Sequence, residues 1–253
     1  MVRKYADPPL QEAFAEVRFR RPERWDLTLP GLIYQALDGE HKFPHKEQER
    51  VLARSSLTLG PSSVQHSSEL IDRVKFLTED KKTIIQLGSD LLSVHRLRPY
   101  ESWESFSPVI KEALSVYLGY AKPEALVALK LQYWDVFDIP CGIGEIAQYL
   151  NLSPHAEPKL TESEQFDTFI TGICSRHENR RDSLRIELVT TAQSEPTVLH
   201  LGLVSCYVLD RMDDFILGSS EIMTWLEVAH RNVSRAFESC ITDCTRALFG
   251  EVS

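Results

Sequence analysis

A chain of 253 residues, 43% hydrophobic and 26% charged, can bury a core without disulfides or a structural metal, and its composition excludes disordered, collagen-like and coiled-coil classes. Its 28 Lys and Arg against 37 Asp and Glu give a net charge of -9, which opposes wrapping nucleic acid or lying on an anionic membrane. No run approaches the ~18 apolar residues of a spanning helix, and no signal-peptide stretch follows Arg3 and Lys4, so neither export nor membrane insertion is expected.

Residues 10–20 alternate Ala13, Ala15, Val17 and Phe19 against Phe14, Glu16, Arg18 and Arg20, the period of two of a half-buried strand. Pro30 and Gly31 then precede a short apolar run to Leu37, which predicts a short helix. β-Favouring runs at 57–59, 74–78, 83–87 and 91–97, separated by Glu79-Asp80-Lys81-Lys82 and Gly88-Ser89-Asp90 among other turn formers, predict an antiparallel meander. From Ser102 the period changes. Phe106, Val109, Ile110, Ala113, Leu114 and Tyr117 recur every three or four residues, predicting an amphipathic helix capped by Ser102 or Ser107 and ended by Lys122-Pro123. A long strand follows, with Val127, Leu129, Leu131, Tyr133, Asp135 and Phe137 on one face and Ala128, Lys130, Gln132, Trp134 and Val136 on the other.

After a Pro-punctuated stretch at 151–158, residues 166–176, 184–191 and 198–209 predict three more strands. The roughly 30 residues from Ser219 predict one helix, with a stripe from Ile222, Leu226 and Ala229 through Val233, Ala236, Phe237 and Cys240 to Cys244 and Leu248, closing at Gly250. The expected fold is α+β: mostly antiparallel sheets in two related halves, residues 1–150 and 151–253, each with a long amphipathic helix packed on one face.

The segments Asp7-Pro8-Pro9-Leu10-Gln11-Glu12-Ala13, Trp25-Asp26-Leu27, Leu87-Gly88-Ser89-Asp90-Leu91-Leu92-Ser93-Val94, Tyr100-Glu101-Ser102-Trp103-Glu104-Ser105-Phe106 and Asp138-Ile139-Pro140, with Ala229-His230 through Phe237-Glu238 to Ile241-Thr242-Asp243, resemble a sporadically distributed family of bacterial proteins of about this length. The resemblance covers nearly the whole chain. That family is functionally uncharacterised, so the resemblance implies a bacterial cytosolic origin and supplies no catalytic residue.

Gly142-Ile143-Gly144-Glu145-Ile146-Ala147 fits G-x-G-x-x-(G/A) after the long strand, with Glu162 or Glu164 as a ribose-binding acid. Pro154 interrupts the helix such a motif needs, so a turn into a short helix is expected and no cofactor. His41 and His45 are four apart, but Pro44 lies between them and no HExxH occurs among the eight histidines; no metal site is expected. His200 and His230 read as polar contacts or surface residues. Five cysteines, Cys141, Cys174, Cys206, Cys240 and Cys244, lack CxxC spacing and predict a reducing cytoplasm. Cys174 and His177, three apart on a strand, face opposite sides, as do Asp135 and Asp138. Asp135 shares the face of Leu131 and Tyr133, so burial of that face calls for an Arg or backbone partner. The densest basic group is Arg176, Arg180, Arg181 and Arg185, at a hairpin tip diluted by Glu178 and Asp182; Arg18, Arg20, Arg21 and Arg24 form a second.

No coherent catalytic set emerges. The expected function is a non-enzymatic binding or accessory protein acting through protein–protein contacts, associated through its sporadic occurrence with bacterial defence or conflict loci. The alternatives are an enzyme of hydrolase type, its pocket assembled from Asp135, His177 and Arg185, and a nucleic-acid reader using the arginine groups, the less favoured partner for an acidic chain. Met223, Trp225 and Val228 widen the apolar surface of the C-terminal helix beyond one face, which predicts a homo-oligomer or partner interface there. Packing of that flank against the chain's own sheet is the internal alternative.

Overall fold

The structure is a computed structural model that describes residues 4–20, 25–59, 64–140, 143–152, 168–176, 181–190, 198–210 and 218–252. After β1 (Lys4–Tyr5) comes β2 (Leu10–Phe19), then helices α1 (Leu29–Ala36) and α2 (Gly39–Lys42). A meander of β3 (His45–Leu59), β4 (Val64–Leu77), β5 (Thr83–Leu87) and β6 (Leu91–Leu97) leads to α3 (Trp103–Ala121). The chain continues through β7 (Leu126–Ile139), a 3₁₀ turn at Ile143–Gln148, β8 (Ile170–Arg176), β9 (Asp182–Thr190) and β10 (Leu199–Asp210). Helices α4 (Ser219–Cys240) and α5 (Asp243–Phe249) precede β11 (Glu251–Val252), which pairs with β1.

The class is α+β. Nine of the described strands form one sheet in the order β3-β4-β5-β6-β2-β7-β10-β9-β8, and every pairing in it is antiparallel. The sheet therefore runs without interruption across residue 150. Helix α3 lies against β6 and α4 against β10, β7 and β9, and the two helices touch. One face of the sheet is thus covered by helices, and strand alternation sends Ala13, Ala15, Val17 and Phe19 of β2 and Leu129, Leu131, Tyr133 and Phe137 of β7 into that interior.

Ser102 starts α3 by accepting the Ser105 N–H at 3.2 Å, which satisfies one of the first-turn donors. Phe106, Ile110, Ala113, Leu114 and Tyr117 of this helix are buried. The C-terminal segment departs from the single helix expected from its stripe. Ile241 takes an extended conformation and bridges Leu150, and a new helix begins after Thr242. Thr242 Oγ1 donates to the Gln148 carbonyl at 2.7 Å, so the break docks the helix end onto the 3₁₀ turn. It also separates Cys240, which is buried, from Cys244, which is exposed.

Two apolar clusters fill the interior. The larger joins β2, β6, β7 and helices α1, α3 and α4; the smaller joins the far ends of β7 and β10 with α5 and the 3₁₀ turn through Phe137, Ile139, Leu199, Leu201 and Phe249. Tyr133 belongs to the first and Phe137 to the second. Asp135 stands between them.

Candidate functional site

Asp135 is 4% exposed, and its cross-strand neighbours are Leu203 on β10 and Leu10 on β2. Its Oδ2 has no hydrogen-bond partner, and it forms no ion pair among the described residues. The partner its position called for is therefore not an arginine. Burial alone raises its pKa from 3.8 to about 8, because an apolar site disfavours the charged form. One register step away, Tyr133 faces Ser205 of β10, whose Oγ is likewise buried without a partner.

Tyr133 is the centre of a polar seam beneath α4. Its hydroxyl lies 2.7 Å from His230 Nδ1 and 3.3 Å from the Tyr100 hydroxyl. Burial pushes the Tyr133 phenol well above its usual pKa and lowers that of His230, so the phenol keeps its proton beside an imidazole biased toward its neutral form. Trp103 stacks on His230 at 4.6 Å between ring centres and sends its indole N–H to Glu227 at 2.8 Å. The Tyr100 to Phe106 and Ala229-His230 segments, far apart in sequence, meet here. Near the other end of α4, Cys240 is raised to about 11, first by burial and then by Asp135, so its thiol stays protonated.

The sheet also has an unfinished side. Strand β8 pairs with β9 along one edge, and no strand pairs along its other edge among the described residues. Ile170 is 75% and Ile173 is 55% exposed, and alternation puts them on opposite faces of the strand. A shallow hollow of about 360 Å³ runs along β8 and β9, flanked by Cys174, Arg185 and Glu187. Gly172 is required in this strand, since a Cβ there would come within 2.7 Å of the Ile186 carbonyl oxygen.

These positions decide which expected groupings are real. Arg185 pairs in register with Cys206 and Cys174 on the helix-free face, whereas Asp135 and its neighbour Leu203 point beneath α4. Asp135 and Arg185 are thus on opposite sides of the sheet and do not form a common pocket. His177 and Arg180 lie outside the described residues. Arg176 shares the helix-free face with Arg185, which is ion-paired to Glu187, and Arg181 sits just before β9. Asp138 is exposed and bonds His200 across the strands at 2.5 Å, diverging from Asp135 as a spacing of three on a strand requires.

Met223 and Trp225 pack against the larger core cluster. Trp225 lies 5.3 Å from the Tyr207 ring and donates to Asp182 at 3.1 Å, so β9 and β10 cover this flank of α4. Val228 is partly buried, and its carbonyl accepts from Asn232 at 3.0 Å. Gly142, Glu162 and Glu164 lie outside the described residues; the rest of the glycine motif lies in a 3₁₀ turn at Ile143–Gln148, and the described sheet is antiparallel throughout, whereas a dinucleotide site needs a parallel crossover. Among the described residues no group of three metal-ligating side chains occurs, and no helix is long and apolar enough to cross a membrane. No protein-family model matches the chain, and no curated protein matches it significantly.

Proposed function

We propose that this is a non-enzymatic binding or accessory protein that acts through protein–protein contact, with β8 as its contact strand and a second copy of the chain as its partner. One observation carries the reading: among the described residues no strand pairs with the outer row of β8 backbone groups, which is flanked by exposed Ile170 and Ile173. Edge strands are normally blunted by lysine, proline or a bulge. In Ile170-Thr171-Gly172-Ile173-Cys174-Ser175-Arg176 there is no lysine, proline or bulge, and the one charge, Arg176, stands at the strand end, which suits strand addition. Antiparallel self-pairing centred on Ile173 sets Ile170 opposite the partner's Arg176 and Thr171 opposite the partner's Ser175, so no like charges meet.

The strand order supports a finer reading of the fold as two related halves. In each run a first strand, β2 or β7, lies at the sheet centre, a meander returns through β6 or β10 to lie beside it, and a long helix, α3 or α4, follows. The repeat boundary then falls at Lys122-Pro123, before β7, and the bacterial cytosolic setting is part of this proposal through the resemblance alone.

Light scattering tests the contact. A weak two-fold association on the scale of a single strand pair should double the mass at about 100 µM. Ile173→Lys, which sets like charges opposite each other at the centre, should return the mass to one chain with the circular dichroism spectrum unchanged. A wild type that stays monomeric, or a variant that still dimerises, would overturn the proposal.

A further inference from the structure

Toward the other end of the sheet, a cleft of about 750 Å³ opens between α2, α3 and the turn joining β4 to β5. On its floor Thr83 of β5 and Arg96 of β6 are cross-strand neighbours, and Phe43 and Val109 supply apolar walls. The rim is set by local chemistry. Asp80 Oδ1 accepts from Thr78 Oγ1 at 2.6 Å and from the Lys82 N–H at 3.0 Å, and Lys81 takes φ of 57° to close the turn.

Arg96 is half-buried in the wall of this cleft. Its Nε is buried with no hydrogen-bond partner, and it makes no ion pair with any described residue. Arg73 shows the satisfied alternative, 3% exposed and 2.5 Å from Asp90 Oδ1. Arg96 thus lines the cleft without a bonded counter-ion among the described residues, so an anion entering the cleft would meet its charge. Around it, Lys42 is committed to Glu112 at 2.7 Å. Asp80 is held below the usual carboxylate range by Thr78 and the Lys82 amide, so it keeps its charge with no cation bonded to it among the described residues.

Arg96 is near enough to Asp80 to help lower its pKa but makes no ion-pair contact with it, so the cleft presents one positive and one negative group not bonded to each other, beside an apolar wall. A phosphate dianion would meet Glu79, Asp80 and Glu112 at the rim and be repelled. A zwitterion with one carboxylate and one ammonium matches instead. We propose that this cleft binds a free α-amino acid with an apolar side chain. Its carboxylate enters the fork of Arg96, its ammonium faces Asp80, and its side chain lies along Phe43 and Val109. This site is separate from β8 and rests on no part of the oligomer reading.

Titration calorimetry on the full chain tests it, with L-leucine and L-phenylalanine as probes and N-acetyl-L-leucine and inorganic phosphate as controls. At least one probe should bind saturably, and affinity should fall about ten-fold or more in Arg96→Met, the scale of a lost charged hydrogen bond. N-acetyl-L-leucine and phosphate should show a comparable loss. Because Arg96 makes no bond that the substitution removes, the variant should fold. Should it not, Asp80→Asn reads the ammonium contact with the same expected loss. No binding of either probe, phosphate binding as tightly as they do, or unchanged affinity in the variant would overturn the proposal.

Discussion

Replacing Asp135 with Asn removes the one carboxyl that burial moves furthest from its ordinary range. In the folded chain its pKa is about 8 against an ordinary 3.8. The folded state therefore holds a proton that the unfolded state has released throughout this window, and stability falls as pH rises from below 4 toward 8. At about 1.4 kcal/mol per unit, the wild type loses roughly 4 kcal/mol between pH 4 and pH 7 from this group alone. Asp135→Asn has nothing to ionise and escapes that loss. Tyr133 and Cys240, which interact with Asp135, stay protonated in this range and do not contribute. His230 titrates with the opposite sign but is present in both proteins, so it cancels in their difference. Urea unfolding of both proteins from pH 4.5 to 8 should show the variant gaining on the wild type by more than 1 kcal/mol per pH unit. Parallel stability curves would show that the carboxyl ionises normally in the fold, and the description of its surroundings would be refuted.

Three further outcomes follow from the packing. Burial lowers the His230 pKa below 6.5, so its stabilising contribution is present above that value and lost as pH falls through the folded pKa; an NMR titration placing it above 6.5 would contradict the seam. Trp225→Ala should cost about 3 kcal/mol through lost contact with Tyr207 and Asp182, and should leave the association state unchanged; a shift to smaller species with the fold intact would restore α4 as the interface. Asp90→Ala strands the buried Arg73 without its carboxylate and should cost about 3 kcal/mol or more by thermal or urea unfolding; a change under 1 kcal/mol would mean the cation finds another partner.

The sequence revealed most where one face of an element is buried. In β2 the inward set Ala13, Ala15, Val17 and Phe19 is the buried set, and β8, β9 and β10 lie close to the three expected runs. Val127 left its expected face because the partner of β7 jumps from Arg18 opposite Ala128 to Phe19 opposite Leu126. That irregularity makes Val127 an extra, exposed residue, and no single-strand pattern encodes it. The length of β3 was hidden since its first residues, from His45 to Arg50, are exposed or half-buried and leave no alternating signal. The continuous stripe through Cys240, Cys244 and Leu248 concealed the break at Ile241, although Thr242-Asp243 is an ordinary helix start. Of the candidate residues, Asp135 was recognisable by its parity on β7. The Tyr133–His230 contact and the cleft lined by Arg96 were not, because each depends on elements brought together only by the sheet order.

Hydrogen exchange on the unmodified protein at two concentrations tests the central claim about β8 most directly. If the strand joins two copies, peptides covering Ile170–Arg176 should exchange more slowly near 100 µM than near 1 µM, on the scale expected for weak association, while peptides from α4 do not change. Concentration-independent exchange in β8, or protection that appears in α4 instead, would contradict the account.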